Sequence, residues 1–232
     1  MRAAMIALAL TTALATAGHA QEFPVVVELF TSEGCSSCPP ADAFLTDLAR
    51  DRSDVLPLAF HVTYWNYLGW KDPYSLDAAT ARQRAYARHL GDDGVYTPQM
   101  VVDGTTGYVG SSRSQGLNVI AGAPRKTVPV SMARDGQTLV ITVGPGAGQA
   151  PFLPVAQVLL IGFDPAHETH IGRGENGGRT LLESNIVRSL TPIGTWSGSA
   201  VELRQPPPAG ESFAVLLQAQ DGRIIGATRL AS

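Results

Sequence analysis

Two cysteines, Cys35 and Cys38, are all that the 232 residues contain, so the chain cannot be a disulfide scaffold. Basic charge is not in excess either: 17 Lys and Arg stand against 20 Asp and Glu, a formal net charge of −3. Nucleic acid and anionic membrane surfaces both require a basic stripe, and none runs along this chain, which excludes them as main partners. Beyond the N-terminus no run approaches the ~20 consecutive apolar residues that a membrane-spanning helix needs. No fixed-period repeat is visible, and a second cysteine pair is missing. A closed zinc site takes four ligands, of which one C-x-x-C supplies only two. What remains is a chain with 44% hydrophobic residues, long enough to bury a sizeable core in one large domain or two small ones.

The first twenty residues, MRAAMIALALTTALATAGHA, read as an export signal rather than as fold. Arg2 supplies a short positive region, Ala3 to Ala17 are apolar or small, and Gly18 and Ala20 put small residues at the cleavage positions. An uncleaved anchor is the alternative. The expected mature chain starts at Gln21, has no integral membrane segment, and is periplasmic or secreted, where a cysteine pair can persist oxidised.

From Phe23 to about Ala123, short apolar runs alternate with helical periodicity, the pattern of an α/β unit. VVVELF, Val25 to Phe30, reads as a buried strand. In PPADAFLTDLAR, residues Ala41, Phe44, Leu45 and Leu48 share one helical face, with Pro39 and Pro40 in the first turn, where proline is tolerated. The cysteines therefore fall at a strand-to-helix junction. A second strand is predicted at Val55 to Val62, a helix from about Leu76 to Leu90 stopped by Gly91, and two short strands joined at Asp103-Gly104. A third helix over Ser112 to Ala121 completes the order β-α-β-α-β-β-α. After Pro124, seven alternating segments separated by Gly, Pro, Asp and Asn turns predict an all-β, sandwich-like region. The expected organisation is a signal over 1–20, an α/β domain over 21–124 and a β-rich domain over 125–232, with one continuous body formed by the two halves as the alternative.

Three uses of the cysteine pair are open. As a staple, a C-x-x-C disulfide closes a loop of four residues and gives roughly 2 kcal/mol at best. As a metal site it needs further ligands; zinc with His167 and His170 of HETH is remote, whereas Cu(I) held by both cysteines with His61 or Met100 suits a soft exported dithiol. As a redox pair it gains from its position, because a helix N-terminus stabilises thiolate over thiol. Cys35 would then be the more acidic and exposed sulfur, and Cys38 the resolving thiol that closes a mixed disulfide.

The chain resembles thioredoxin-like proteins in its C-x-x-C at a strand–helix junction, its element order and YTPQMVVDG some sixty residues later. More narrowly, ELFTSEGCSSCPPAD, FHVTYWNYLGWKDPYS, RQRAYA, YTPQMVVDG and GRGENGGRTL together are similar to exported thioredoxin-like proteins of the domain-of-unknown-function 1223 family. The resemblance implies an α/β thioredoxin-like fold, a cis bond between Thr97 and Pro98 lying against the disulfide, and a Thr97 backbone that pairs with a substrate peptide. It implies no cofactor, and a protein or a small thiol or disulfide as partner. It also places Glu28 near the buried acid of thioredoxins, under the second cysteine. Desolvation disfavours a carboxylate in that apolar run and suits it to proton transfer. A hydrogen-bonded structural Glu28 is the equal alternative. Gly34 and Ser36-Ser37 depart from the Trp and Gly-Pro of thioredoxins, so their reduction potential does not transfer. Without a His between the cysteines an intermediate or reducing poise is expected.

Tyr64, Trp65, Tyr67 and Trp70 are candidates to line a groove beside Cys35, with core filling as the alternative. His61 is a candidate base or ligand, or a hydrogen-bonded structural histidine. GRGENGGRTLLE reads either as a binding loop using Arg173 and Arg179 or, by slight preference, as a long hairpin whose charges pair locally. ARQRAYARH is expected to be a solvated helix face. The function expected is an exported thiol–disulfide oxidoreductase using Cys35 and Cys38, and the alternative is a protein that binds a metal such as Cu(I), or a partner, through the dithiol without turnover.

Overall fold

A computed structural model describes residues 23–146 and 155–230; the expected signal segment lies outside them. The β-branched run Val25–Thr31 forms strand β1 and Val55–His61 forms β2, parallel to it with Thr31 opposite His61. Between them α1, Pro39–Asp51, begins with its prolines in the first turn and buries Ala41, Phe44, Leu45 and Leu48, the face that the spacing predicts. Helix α2 spans Asp77–Leu90 and ends on Gly91, whose φ of 74° is the left-handed geometry that closes a helix. Strands β3, Gln99–Val102, and β4, Thr106–Val109, turn at Asp103 and Gly104, both with positive φ, and α3 covers Arg113–Ala121.

Seven strands follow: β5 (Val130–Asp135), β6 (Thr138–Val143), β7 (Ala156–His170), β8 (Thr180–Trp196), β9 (Val201–Gln205), β10 (Ser212–Ala219) and β11 (Ile224–Arg229). They do not form a separate sandwich. An eight-stranded sheet runs β11-β10-β7-β8-β2-β1-β3-β4 through both halves, and β5-β6-β9 form a second, three-stranded sheet. The fold is thus mixed α/β, dominated by one large sheet with few helices. The halves join where Ile186 of β8 pairs in parallel with Ala59 of β2, and Asn185, at φ 51°, donates its side-chain amide to Pro57 O at 2.8 Å. A sandwich does form locally: Val130, Leu139, Ile141 and Val143 of the small sheet pack on Val158, Leu160, Trp196 and Val215 of the large one. No helix among the described residues is long and apolar enough to cross a membrane.

Strand parity divides the first half. Val27 and Leu29 face α1 with Phe44 and Leu45, whereas Val26 and Phe30 face α2 with Ala79 and Tyr86. The expected solvated face of α2 is in part buried, because Arg82 and Gln83 point into this second layer. The hairpin of β7 and β8, 15 and 17 residues long, extends past the sheet end so that its tip reaches the start of α1.

Candidate functional site

Cys35 and Cys38 form a disulfide, with Cα atoms 5.4 Å apart, in the turn that leads into α1. Cys38 occupies the position before the first helical residue, so the sulfurs lie where the helix leaves backbone N–H groups free. Ser37 Oγ lies 3.4 Å from Cys35 Sγ, while Ser36 turns its backbone N–H to Glu175 Oε2 at 3.2 Å.

Cys35 is not the exposed sulfur that its position suggested. Both cysteines are 0% exposed, because the 172–178 strap at the tip of the β7–β8 hairpin lies across the junction. Asn176 is fully buried and donates its amide to Glu33 O and Cys35 O, each at 2.9 Å. Arg179 in turn donates to Asn176 Oδ1 at 3.0 Å. Gly174 and Gly178, at φ 80° and 81°, give the strap its turns. A Cβ on Gly174 would come within 3.2 Å of Trp70 Cβ. The strap is therefore more than a hairpin with local charge pairing: Glu175 and Asn176 bond to the cysteine loop some 140 residues upstream.

The Thr97-Pro98 bond is cis. Gly110 donates to Pro98 O at 2.9 Å and is packed so closely that a Cβ there would come within 3.1 Å of Ala41 and Leu29 and 3.3 Å of Pro98, which sets the proline beside the first turn of α1. Trp65 donates its indole N–H to Thr97 Oγ1 at 2.7 Å and also packs on Gly34. It thereby bridges the cysteine loop and the proline loop. Tyr64 donates to Gln83 Oε1 at 3.1 Å, and its hydroxyl also interacts with the Thr97 side chain. Trp70 donates to Glu33 Oε2 at 2.6 Å, and Tyr67 is 80% exposed. Of the four aromatics, Trp65 and Trp70 border the cysteine loop.

Glu28 does not lie under Cys38. Period-two alternation puts it on the α2 face of β1, where Arg82 grips it with Nε to Oε2 at 2.6 Å and Nη2 to Oε1 at 2.7 Å. Tyr86 donates to Glu28 Oε1, and Gln218 bonds to both Arg82 and Tyr86. A cleft of about 660 Å³ opens beside this network, on the sheet face away from the disulfide.

The buried acid on the disulfide side is one the sequence reading missed. Asp42 lies one helical turn beyond Cys38 on the same helix and accepts a hydrogen bond from Thr31 Oγ1 at 2.7 Å. Burial pushes Asp42 up to about 7, against the opposing hydrogen bond from Thr31. His61, at the end of β2, bonds through Nδ1 to Asp72 Oδ2 at 2.8 Å, and Asp72 also accepts from the backbone of Glu33 and Tyr74. Burial disfavours charge on both partners, yet their mutual attraction prevails. Asp72 is held below its ordinary value, and His61, with Glu183 adding to the pull, is brought up to about 10. Burial and then the nearby Asp72 raise Glu33. Glu183, on β8, is 2% exposed and is pushed by burial up to about 8, against the pull of His61. Its Oε1 lies 3.7 Å from His61 Nε2, and neither of its oxygens has a hydrogen-bond partner among the described residues. A helical reading of ADAF, with a polar residue beside a buried stripe, was the one signal for Asp42; nothing local signalled Glu183.

Met100, the other candidate copper ligand, lies in the core and accepts a hydrogen bond from Tyr108. No group of three His, Cys, Asp or Glu among the described residues is placed to hold a metal ion.

The chain is similar to a protein of Agrobacterium tumefaciens whose structure was solved by X-ray crystallography, at 33% identity and a TM-score of 0.78, over 91% of this chain and 96% of that one. It shares fold with HBP35 of Porphyromonas gingivalis at 14% identity and a TM-score of 0.63, over 90% of this chain and 74% of that one. No curated protein matches it. The family described as "Protein of unknown function (DUF1223)" matches residues 26–218, and the chain belongs to that family.

Proposed function

We propose that the protein is an exported thiol–disulfide oxidoreductase whose 21–124 segment is a thioredoxin-like unit, acting in the periplasm or outside the cell. The observation that carries this reading is the Cys35–Cys38 disulfide at the start of α1, tied to a cis Thr97-Pro98 bond and followed one turn later by the buried carboxyl of Asp42. In the reducing direction, the Cys35 thiolate attacks a substrate disulfide, forms a mixed disulfide and expels the substrate's second sulfur. Cys38 then attacks Cys35 Sγ, which closes the Cys35–Cys38 bond and releases the substrate as a dithiol. The oxidising direction runs these steps backwards. Asp42 takes the proton that Cys38 gives up, the role for which Glu28 is on the wrong face. Partners are proteins or small thiols and disulfides, and the strap over Cys35 must lift for any of them to reach the sulfur.

Cys38→Ser removes the resolving thiol and is expected to accumulate a covalent mixed disulfide with a partner. Non-reducing gels of periplasmic and secreted fractions, followed by mass spectrometry, read this directly. If neither a protein nor a small thiol is ever found on Cys35, the pair does not turn over and the dithiol serves binding instead.

A further inference from the structure

The strap holds the cysteine loop by two kinds of contact. Asn176 makes neutral hydrogen bonds to the buried carbonyls of Glu33 and Cys35, whereas Glu175 sets a carboxylate on the Ser36 N–H at 3.2 Å, with the Ser36 side chain adding to the hold. A glutamine at 175 would accept the same hydrogen bond without a charge, so the charge needs a reason of its own. No cation cancels it: Arg179 donates to Asn176 Oδ1 instead, and no Lys or Arg among the described residues pairs with Glu175. Glu33, the other acid beside the loop, turns to Trp70 at 2.6 Å. Ser36 follows Cys35 directly, and bond lengths keep Cys35 Sγ within about 5 Å of the Ser36 nitrogen, which puts the Glu175 charge within about 8 Å of the sulfur.

We propose that Glu175 sets the redox poise of the cysteine pair: its charge holds the strap more tightly on the neutral disulfide than on the reduced site, and so makes Cys35–Cys38 a stronger reductant. The inference rests on the thiol–disulfide reading above.

Reduction by a dithiol brings two electrons to the pair. A thiolate of the reductant attacks Cys35 Sγ, and the Cys35–Cys38 bond breaks with its electron pair going to Cys38 Sγ, which takes up a proton. The reductant's second thiolate then attacks its own sulfur in the mixed disulfide, closes a cyclic disulfide and frees Cys35 as a thiolate. Of the dithiol's two protons, one ends on Cys38 and the other in solvent. A neutral group near Glu175 has become an anion, and the two like charges repel. Coupling between two equilibria is reciprocal, so reduction loosens the strap by the same factor by which the strap disfavours reduction. The strap thus lies shut over the spent disulfide and lifts more readily over the dithiol, the form in which Cys35 attacks a substrate. Glu175 touches no reacting atom, so its signature is a shifted equilibrium rather than lost turnover.

The test equilibrates the full chain with mixtures of reduced and oxidised dithiothreitol at about pH 8.5, where a thiol at a helix start is largely ionised. It compares wild type with Glu175→Gln, which keeps the hydrogen-bond acceptor and removes the charge. At about 10 mM ionic strength, where screening acts over ~30 Å, the equilibrium constant for reduction should be about threefold larger in Glu175→Gln. At about 1 M salt the screening length falls to ~3 Å, and the two constants should converge. A ratio of one at low salt overturns the proposal. So does a ratio that salt leaves alone, since that is what lost packing or a lost hydrogen bond gives. Hydrogen exchange of the Gly177 and Gly178 amides, which bond to Gly174 O and Ile171 O, reads the strap itself. Exchange in wild type should speed up on reduction, and Glu175→Gln should shrink that acceleration by the same factor of about three. An acceleration absent from wild type, or equal in both proteins, counts against the proposal as decisively. Failure of dithiothreitol to reduce the pair reversibly sinks the oxidoreductase reading itself, a different outcome from equal constants.

Discussion

Arg82→Met is expected to destabilise the protein by about 3–5 kcal/mol, the scale on which removing one partner of a buried ion pair leaves the other charge stranded. Glu28 and Arg82 are 1% and 9% exposed, and the two-pronged contact spans β1 and α2. With Arg82 gone, the Glu28 carboxylate keeps among the described residues only the Tyr86 hydroxyl as a partner, at 3.1 Å, and Gln218 loses one of its anchors. Much of this penalty comes from the stranded carboxylate rather than from the lost contact, so Glu28→Gln in the same chain should restore a large share of it. Urea denaturation of the single and double variants measures both numbers. Equal losses in the two would mean that the guanidinium matters through its packing on Phe60 and Tyr86, over which it lies at 5.6 and 5.0 Å from the ring centres.

Asn176→Ala should make the Cys35–Cys38 disulfide react faster with a small reductant, by about thirtyfold. The side chain contributes two hydrogen bonds to buried carbonyls, Glu33 O and Cys35 O, worth about 1 kcal/mol each. Their loss lowers the free energy of lifting the strap by about 2 kcal/mol, and the open population rises by the corresponding factor. Reduction by a phosphine, followed by labelling of the freed thiols, gives the rate. Glu175 is exposed, and its bond to the Ser36 N–H is water-accessible, so Glu175→Gln should leave that rate nearly unchanged. If Asn176→Ala reacts no faster than wild type, the strap is not what shields the sulfur.

Several elements of the fold were legible because they depend on local rules. Pro39 and Pro40 mark a helix start, Gly91 a helix stop, and Asp103-Gly104 a tight turn, and each lies where the sequence places it. Alternation located all seven C-terminal segments as strands. It did not say what they pair with, and the expectation of a separate sandwich gave way to one sheet, because edge pairing such as Ala59 with Ile186 leaves no mark on either strand. The ARQRAYARH stretch shows the same limit. Arginine in a helix reads as solvated until a carboxylate such as Glu28 is found facing it from another element.

Glu28 and Asp42 divide what the chain alone determined from what the tertiary structure decided. The sequence determined that a C-x-x-C pair sits at the mouth of a helix, with an acid in the strand before it and another one turn after it. A strand's parity states which residues share a face, but not which face the following helix will cover. That choice is made by how the β1–α1–β2 crossover packs, and it turns Thr31 and Asp42 toward the disulfide side and Glu28 toward Arg82. The strap was decided wholly at that level, since its contacts between residues 141 or 143 positions apart depend on a hairpin long enough to leave its own half and reach the other, and so was the place of Glu183 beside His61.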